Sequence, residues 1–226
     1  TVGGVIGFGT SIMLMPAMER VFGPREAVPI MAVASVMANA SRVAVWWREV
    51  DWRCALAYSA TAAPAAALGA ATLLRLPAGV IEVVLGLFFI AMVPLRRWMA
   101  RQGWHLGLPH MALVGGVVGF ITGVVVSTGP INTPFFLAYG LVKGAFLATE
   151  ALGSLAAILA KAATFGSLGA LPLASVGKGL VIGSAIMVGS WLAKRWVFKL
   201  DAAQFRGLIE GMLMLAGLTM LWAAFR

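Results

Sequence analysis

Lys161 stands inside an otherwise apolar and small-residue run, with about fifteen such residues before it and about nine between it and Pro172. An ammonium near the centre of a lipid bilayer costs about 2.5–3.5 kcal/mol on insertion scales, so such a lysine normally faces a cavity, a partner or a bundle interior. The chemistry it offers there is attraction of an anion. The competing reading is a lysine whose stem snorkels to an interface.

Two polar interruptions of apolar sequence point to the same chemistry. The first is Gly9-Thr10-Ser11, with Pro16 beyond it; the second is Ser127-Thr128-Gly129-Pro130-Ile131-Asn132-Thr133-Pro134. A short helix starting after such a break, after Ser11 or after Pro134, presents unpaired backbone N–H groups and the positive end of its dipole. Hydroxyl and amide side chains add donors, and glycine lets the backbone approach closely. Two such ends meeting near the membrane midplane would form an anion site. A single break reads as a tolerated kink; two in register favour a ligand.

Other polar residues are weaker candidates. Aligning the long helix after each break brings Asn39 within a residue of Lys161, where it could donate a hydrogen bond or serve as interhelical glue. Arg42 lies one turn on, beside Trp46-Trp47, and reads as a snorkelling side chain. Glu82, Glu150 and Glu210 sit near the ends of apolar runs, where acids are usually interfacial. Glu150 is the best of the three for proton coupling, although it precedes Lys161 by about three turns and would not pair with it.

The breaks belong to a repeat. Gly3-Gly4-Val5-Ile6-Gly7-Phe8 returns as Gly115-Gly116-Val117-Val118-Gly119-Phe120, five of six residues identical and 112 positions later. Paired interrupted segments in two halves are a recognised sign of a secondary transporter's binding site. The halves run over residues 1–100 and 111–226, joined by a hydrophilic connection at 101–110. Gly115, Gly119 and Gly123 place small residues on one helix face for close packing.

Composition excludes most other classes. The 226 residues are 61% hydrophobic and 11% charged, with mean hydropathy +0.96, where soluble domains carry about 25% charge. The runs are continuous rather than alternating, so a β-barrel is excluded. The formal charge of +9 comes from Lys and Arg concentrated in short connections; that is a topology and anionic-lipid signal rather than a nucleic-acid one. Cys54 is the sole cysteine, and His105 and His110 share one connection, so no metal site or other cofactor is expected. No hydrolase elbow or zinc-protease motif appears, which argues against an enzyme. No signal-peptide pattern precedes the first run, and some residues are expected before Thr1.

Charge counting separates two topologies. If each broken segment dips in and returns, Arg48, Arg53, Arg96, Arg97, Arg101, Lys143, Lys194, Arg195, Lys199 and Arg206 share one side. Arg20, Arg25, Arg75, Lys178 and Arg226 share the other. Ten against five favours this inverted, hairpin-containing arrangement over eight full crossings with parallel halves.

These features resemble the TauE/SafE family of sulfite and sulfonate exporters. The likeness runs over essentially the whole chain: Gly3-x-x-x-Gly7-Phe8-Gly9 through Pro16, Gly119-x-x-x-Gly123 through Gly129-Pro130 and Pro134, and Lys143-Gly144-Ala145-Phe146 with Thr149-Glu150-Ala151. Gly9-Thr10-Ser11 departs from the family's usual three glycines, and Ser-Thr-Gly-Pro departs at the second break. The resemblance implies secondary export of a small anion such as sulfite, thiosulfate or an organosulfonate through a bacterial inner membrane. The expected fold is an all-α polytopic membrane protein of two homologous halves and about eight membrane segments. The expected substrate ligands are Gly9, Thr10, Ser11, Asn39, Ser127, Thr128, Gly129, Asn132, Thr133 and Lys161, with protons at Glu150 and membrane lipid as further partners. Oligomerisation is left open. A passive anion channel and a non-transporting membrane assembly subunit are the alternatives.

Overall fold

The computed structural model describes residues 18, 20–77, 105–125, 129–141 and 143–197, with isolated helical positions between 80 and 98 and between 211 and 222. Every regular element within them is helical. Helix α1 spans Pro24–Trp46, followed by a 3-10 turn at Trp47–Glu49; α2 spans Trp52–Arg75, α3 Leu108–Val124, α4 Gly129–Ala138, α5 Lys143–Ser167 and α6 Leu173–Val197. Among the described residues three stretches are long and apolar enough to cross a membrane: Glu26–Glu49, Trp52–Arg75 and Gly144–Ser167, 24 residues each. At about 1.5 Å per residue each reaches roughly 36 Å, beyond the ~30 Å hydrocarbon core. Leu108–Val124 and Leu173–Val188 are shorter apolar helices.

Local chemistry fixes the helix ends. Pro24 opens α1, where its missing N–H costs nothing. The Asp51 side chain caps α2 by accepting from the Cys54 N–H at 3.0 Å. Gly140, at φ 103°, ends α4. There the Leu141 N–H donates to the Phe136 carbonyl at 3.2 Å and the Gly140 N–H to the Leu137 carbonyl at 2.9 Å. Leu141 and Phe136 are buried in one cluster, completing a Schellman motif that only glycine enters without strain.

Lipid tails are as apolar as leucine, so helices associate in a membrane through close packing and hydrogen bonds. The glycine stripe of α3 does this, as its spacing predicted. Gly115 lies on the Tyr58 carbonyl, Gly119 on Ala62, and Gly123 on Ala66, Gly69 and Ala70. Both numberings rise together, so α2 and α3 run parallel. Gly179 of α6 against Ile30 and Val33, and Gly183 against Met37, make α1 and α6 parallel too. Helix α5 packs between α1 and α2. Leu56, Leu68, Leu113, Val117, Val181 and Val188 are exposed, as a lipid-facing surface requires.

Helices α3 and α4 form a hairpin. The Leu106 N–H, just ahead of α3, donates to the carbonyl of Ala138, the last residue of α4, at 3.0 Å. Met111 near the start of α3 shares a buried cluster with Phe136 and Leu141 near the end of α4, and with Cys54 at the start of α2. Val125 and Ile131, on either side of the break, lie in the opposite cluster with Leu73 and Phe165. The second broken segment therefore enters and leaves at the same end. Its outgoing helix starts at Gly129, not after Pro134 as the sequence suggested. Pro134 sits inside α4, where the bond it cannot make is the one to the carbonyl of Pro130.

Candidate functional site

The hairpin delivers Asn132, in the first turn of α4, to the centre of the bundle, where it is fully buried. Its side-chain oxygen accepts from the Tyr58 hydroxyl of α2 at 2.9 Å. Its amide donates to Glu150 Oε1 at 3.2 Å and to Ser154 Oγ at 3.1 Å, both on α5. Glu150 and Ser154 are one turn apart and share a face of α5, and the Ser154 hydroxyl donates to Glu150 Oε1 at 2.7 Å.

Helix α1 supplies the charge partner. Arg42 Nη1 donates to Glu150 Oε2 at 2.7 Å, with side-chain exposures of 14% and 3%. Arg42 Nη2 donates to Asn39 Oδ1, and the Asn39 amide donates to the Ser35 carbonyl at 2.8 Å. Four helices thus close one network around a single carboxylate. Both of its oxygens are occupied, as a buried ion requires. Among the described residues, Arg42 Nε is the one buried side-chain N or O atom left without a partner.

Lys161 lies elsewhere. It is eighteen residues beyond the start of α5 at Lys143 and six short of its end at Ser167, so it sits toward one end of the span and not at its middle. Its Nζ donates to the Val125 carbonyl at 2.8 Å and to the Thr122 carbonyl at 2.9 Å, and lies 5.6 Å from the centroid of the Phe165 ring. Those carbonyls belong to the last turn of α3, whose final C=O groups have no partner within the helix. A cation at the negative end of the helix dipole is favourable in its own right. Lys161 therefore secures the inner tip of the hairpin.

Two sequence readings are overturned here. Arg42 does not snorkel toward Trp46-Trp47; the carboxylate across α1 and α5 turns it inward. Glu150 is not interfacial, because α5 begins at Lys143 and leaves it in the second turn, packed against α1. The expectation that Glu150 and Lys161 would not pair holds, with Arg42 taking the carboxylate.

Of the expected ligands, Asn39 and Asn132 join Glu150 in the network, and Lys161 stands apart from it. Gly129 is buried at the start of α4, and the Thr133 hydroxyl donates back to its carbonyl at 2.9 Å. Gly9, Thr10, Ser11, Ser127 and Thr128 lie outside the described residues. Tyr58, Ser154 and the inward role of Arg42 were missed. Tyr58 carried a signal: it is one of two tyrosines, placed in an apolar helix where its hydroxyl must find a partner.

The polar centre is buried and joins four helices, one of them the outgoing arm of the hairpin. Residues 1–220 match the family model described as sulfite exporter TauE/SafE. No curated protein matches the chain, and no solved structure does. With nearly its full length covered by that match, the chain belongs to the TauE/SafE family of sulfite exporters, which are membrane transporters.

Proposed function

We propose that this chain is a secondary active transporter that exports small anions such as sulfite, thiosulfate or organosulfonates across a bacterial inner membrane. The observation that carries this reading is the charge balance of the interior. Among the described residues, Arg42 and Lys161 share it with one acid, Glu150, which leaves an excess positive charge beside the break in the hairpin. Asn39 and Asn132 belong to the Arg42–Glu150 network, and the start of α4 at Gly129 offers further donors. Gly9, Thr10, Ser11, Ser127, Thr128 and Thr133 enter the proposal from their sequence pattern.

The directions of the helices support two inverted halves exchanging access by rocking. By order in the chain α1 corresponds to α5, and these two are antiparallel, each packed against a parallel neighbour: α6 for α1 and α2 for α5. The ends carrying Arg48, Arg53, Lys143, Lys194 and Arg195 lie together, which favours that side as cytoplasmic.

Flux into proteoliposomes tests the reading. Saturable uptake of sulfite, thiosulfate or methanesulfonate, accelerated by unlabelled anion inside, supports it. Flux that rises linearly with concentration and shows no counterflow identifies a channel. No flux of any of the three, with a fixed partner co-purifying, identifies an assembly subunit.

A further inference from the structure

We infer that the Arg42–Glu150 ion pair is the exchange point of the cycle: the substrate anion takes the place of the Glu150 carboxylate on Arg42, and Glu150 leaves as the neutral acid. The inference rests on the transport reading above and adds the binding residue and the coupled ion to it.

Of the two interior cations among the described residues, the geometry leaves one open to exchange. Lys161 is held by two backbone carbonyls of α3, which no proton can neutralise under physiological conditions. Arg42 is held by a carboxylate, which one proton can. Its guanidinium is planar and forked, the shape that binds carboxylate or an oxyanion with two parallel hydrogen bonds. Nη1 engages one oxygen of Glu150 at 2.7 Å and Nη2 engages Asn39, while the Nε–H, on the edge it shares with Nη2, has no partner among the described residues. An oxyanion with three oxygens can take the Nη1 donor that Glu150 vacates together with a donor of the neighbouring Nη2.

The surroundings of Glu150 dictate how it can leave. From α1 it faces Arg42, with Asn39 behind; from α2, the Tyr58 hydroxyl through Asn132; from α4, the Asn132 amide. On α5 itself Ser154 is one turn away and Lys161 eleven residues further. Asp51, whose backbone N–H is held by Thr149 at 2.9 Å, and Glu49, whose carboxylate lies against Gly144, are the acids toward the nearer end. A carboxylate that gave up Arg42 here would be a buried ion without a counterion, which the apolar setting heavily penalises. As an acid it keeps its bonds to Asn132 and Ser154 and carries no charge. The step is an exchange: a proton from the aqueous side binds a Glu150 oxygen, the ion pair opens, and the anion occupies Arg42. No other bond forms or breaks.

Three consequences follow. One proton travels with each monovalent anion. The step is electroneutral, so flux of such an anion does not respond to membrane potential and its direction follows the combined anion and proton gradients. Apparent affinity for a probe that does not itself titrate falls as pH rises, by up to about tenfold per pH unit, because one proton must bind with each anion.

The test uses full-length protein in proteoliposomes with a lumenal pH dye and a potential set by valinomycin. The probes are sulfite, thiosulfate and methanesulfonate, the last two non-titrating near neutrality. Inward methanesulfonate flux should acidify the lumen one for one and should be unchanged by the imposed potential. Glu150→Gln should keep anion-for-anion exchange while losing the acidification and the pH dependence. Arg42→Gln should lose binding. Anion flux in the wild type without acidification, or a Glu150→Gln variant that keeps the wild-type pH slope, overturns this inference and leaves the transport reading standing. If thiosulfate or sulfite alone is carried, the Glu150→Gln comparison made with that anion decides in the same way. Absence of flux for all three anions overturns both.

Discussion

Replacing Lys161 by methionine keeps the length of the side chain and removes its donors, which isolates what the ammonium does for the hairpin. The carbonyls of Thr122 and Val125, now accepting at 2.9 and 2.8 Å, would lose this partner at a depth where water does not replace it. Leaving a buried acceptor unsatisfied costs about 1–3 kcal/mol each, or about 2–6 kcal/mol for the two. Removing the ammonium returns less than the about 2.5–3.5 kcal/mol that insertion costs at a helix centre, because Lys161 lies toward one end of α5. The two terms offset in part and leave a net loss of a few kcal/mol at most. Global stability is therefore a blunt readout. Local opening is sharper, since the loss falls on the last turn of α3, where the Val125 N–H is bonded to Ile121 at 2.8 Å. Hydrogen exchange at residues 121–125 should accelerate by about 5–150-fold, the equivalent of about 1–3 kcal/mol of lost protection. Exchange in α1 and α6 should stay unchanged. Anion flux should fall with it, because the tip of the hairpin is no longer fixed, and Lys161→Arg should restore part of both. Wild-type exchange at 121–125 together with wild-type flux in Lys161→Met and Lys161→Ala would refute both the pinning role and any part for Lys161 in transport.

Two further outcomes follow from the packing and the polar centre. Gly119→Ala should sharply lower the yield of folded protein in detergent, because its Cβ would sit 2.5 Å from the Ala62 Cα and carbonyl oxygen, whereas Gly116→Ala, with Thr61 Cβ 3.9 Å away, should be neutral by melting temperature and gel filtration. Tyr58→Phe leaves the Asn132 oxygen without its donor and should destabilise the protein by about 1–3 kcal/mol in thermal melts, and the same substitution in an Asn132→Leu background should cost much less.

What the sequence made legible was what depends on composition and spacing along one helix. The membrane class follows from 11% charge, and the close packing of α3 from a Gly stripe at every fourth residue, though not which helix it meets. The return of the second broken segment followed from charge counting, and the Leu106–Ala138 bond agrees with it. What stayed hidden depends on rotation about a helix axis or on backbone atoms. Arg42 and Glu150 are 108 residues apart, and nothing local says which way Arg42 points when Trp46-Trp47 stands one turn away. The partners of Lys161 are two carbonyls, which leave no mark in side-chain chemistry. Pro134 suggested a helix start because proline favours that position; here the hairpin tolerates it within α4.

The two interior cations of the described residues are consequently not equivalent, although the sequence singled out one and dismissed the other. A residue that must let go of its partner in every cycle needs a partner whose hold can be switched. Lys161 is bonded to the peptide carbonyls of a helix end, a fixed dipole that only unwinding α3 could remove, so its place is structural support for the break. Arg42 is bonded to a carboxylate that one proton neutralises, and the same proton removes the competing charge and leaves the vacated fork to an anion. Asn132 links the two functions: it rides on the outgoing arm of the hairpin whose tip Lys161 secures, and it touches the carboxylate that must change state. Displacing the tip therefore acts on the Arg42–Glu150 pair through Asn132, which is why loss of Lys161 should reach transport without Lys161 ever touching the anion.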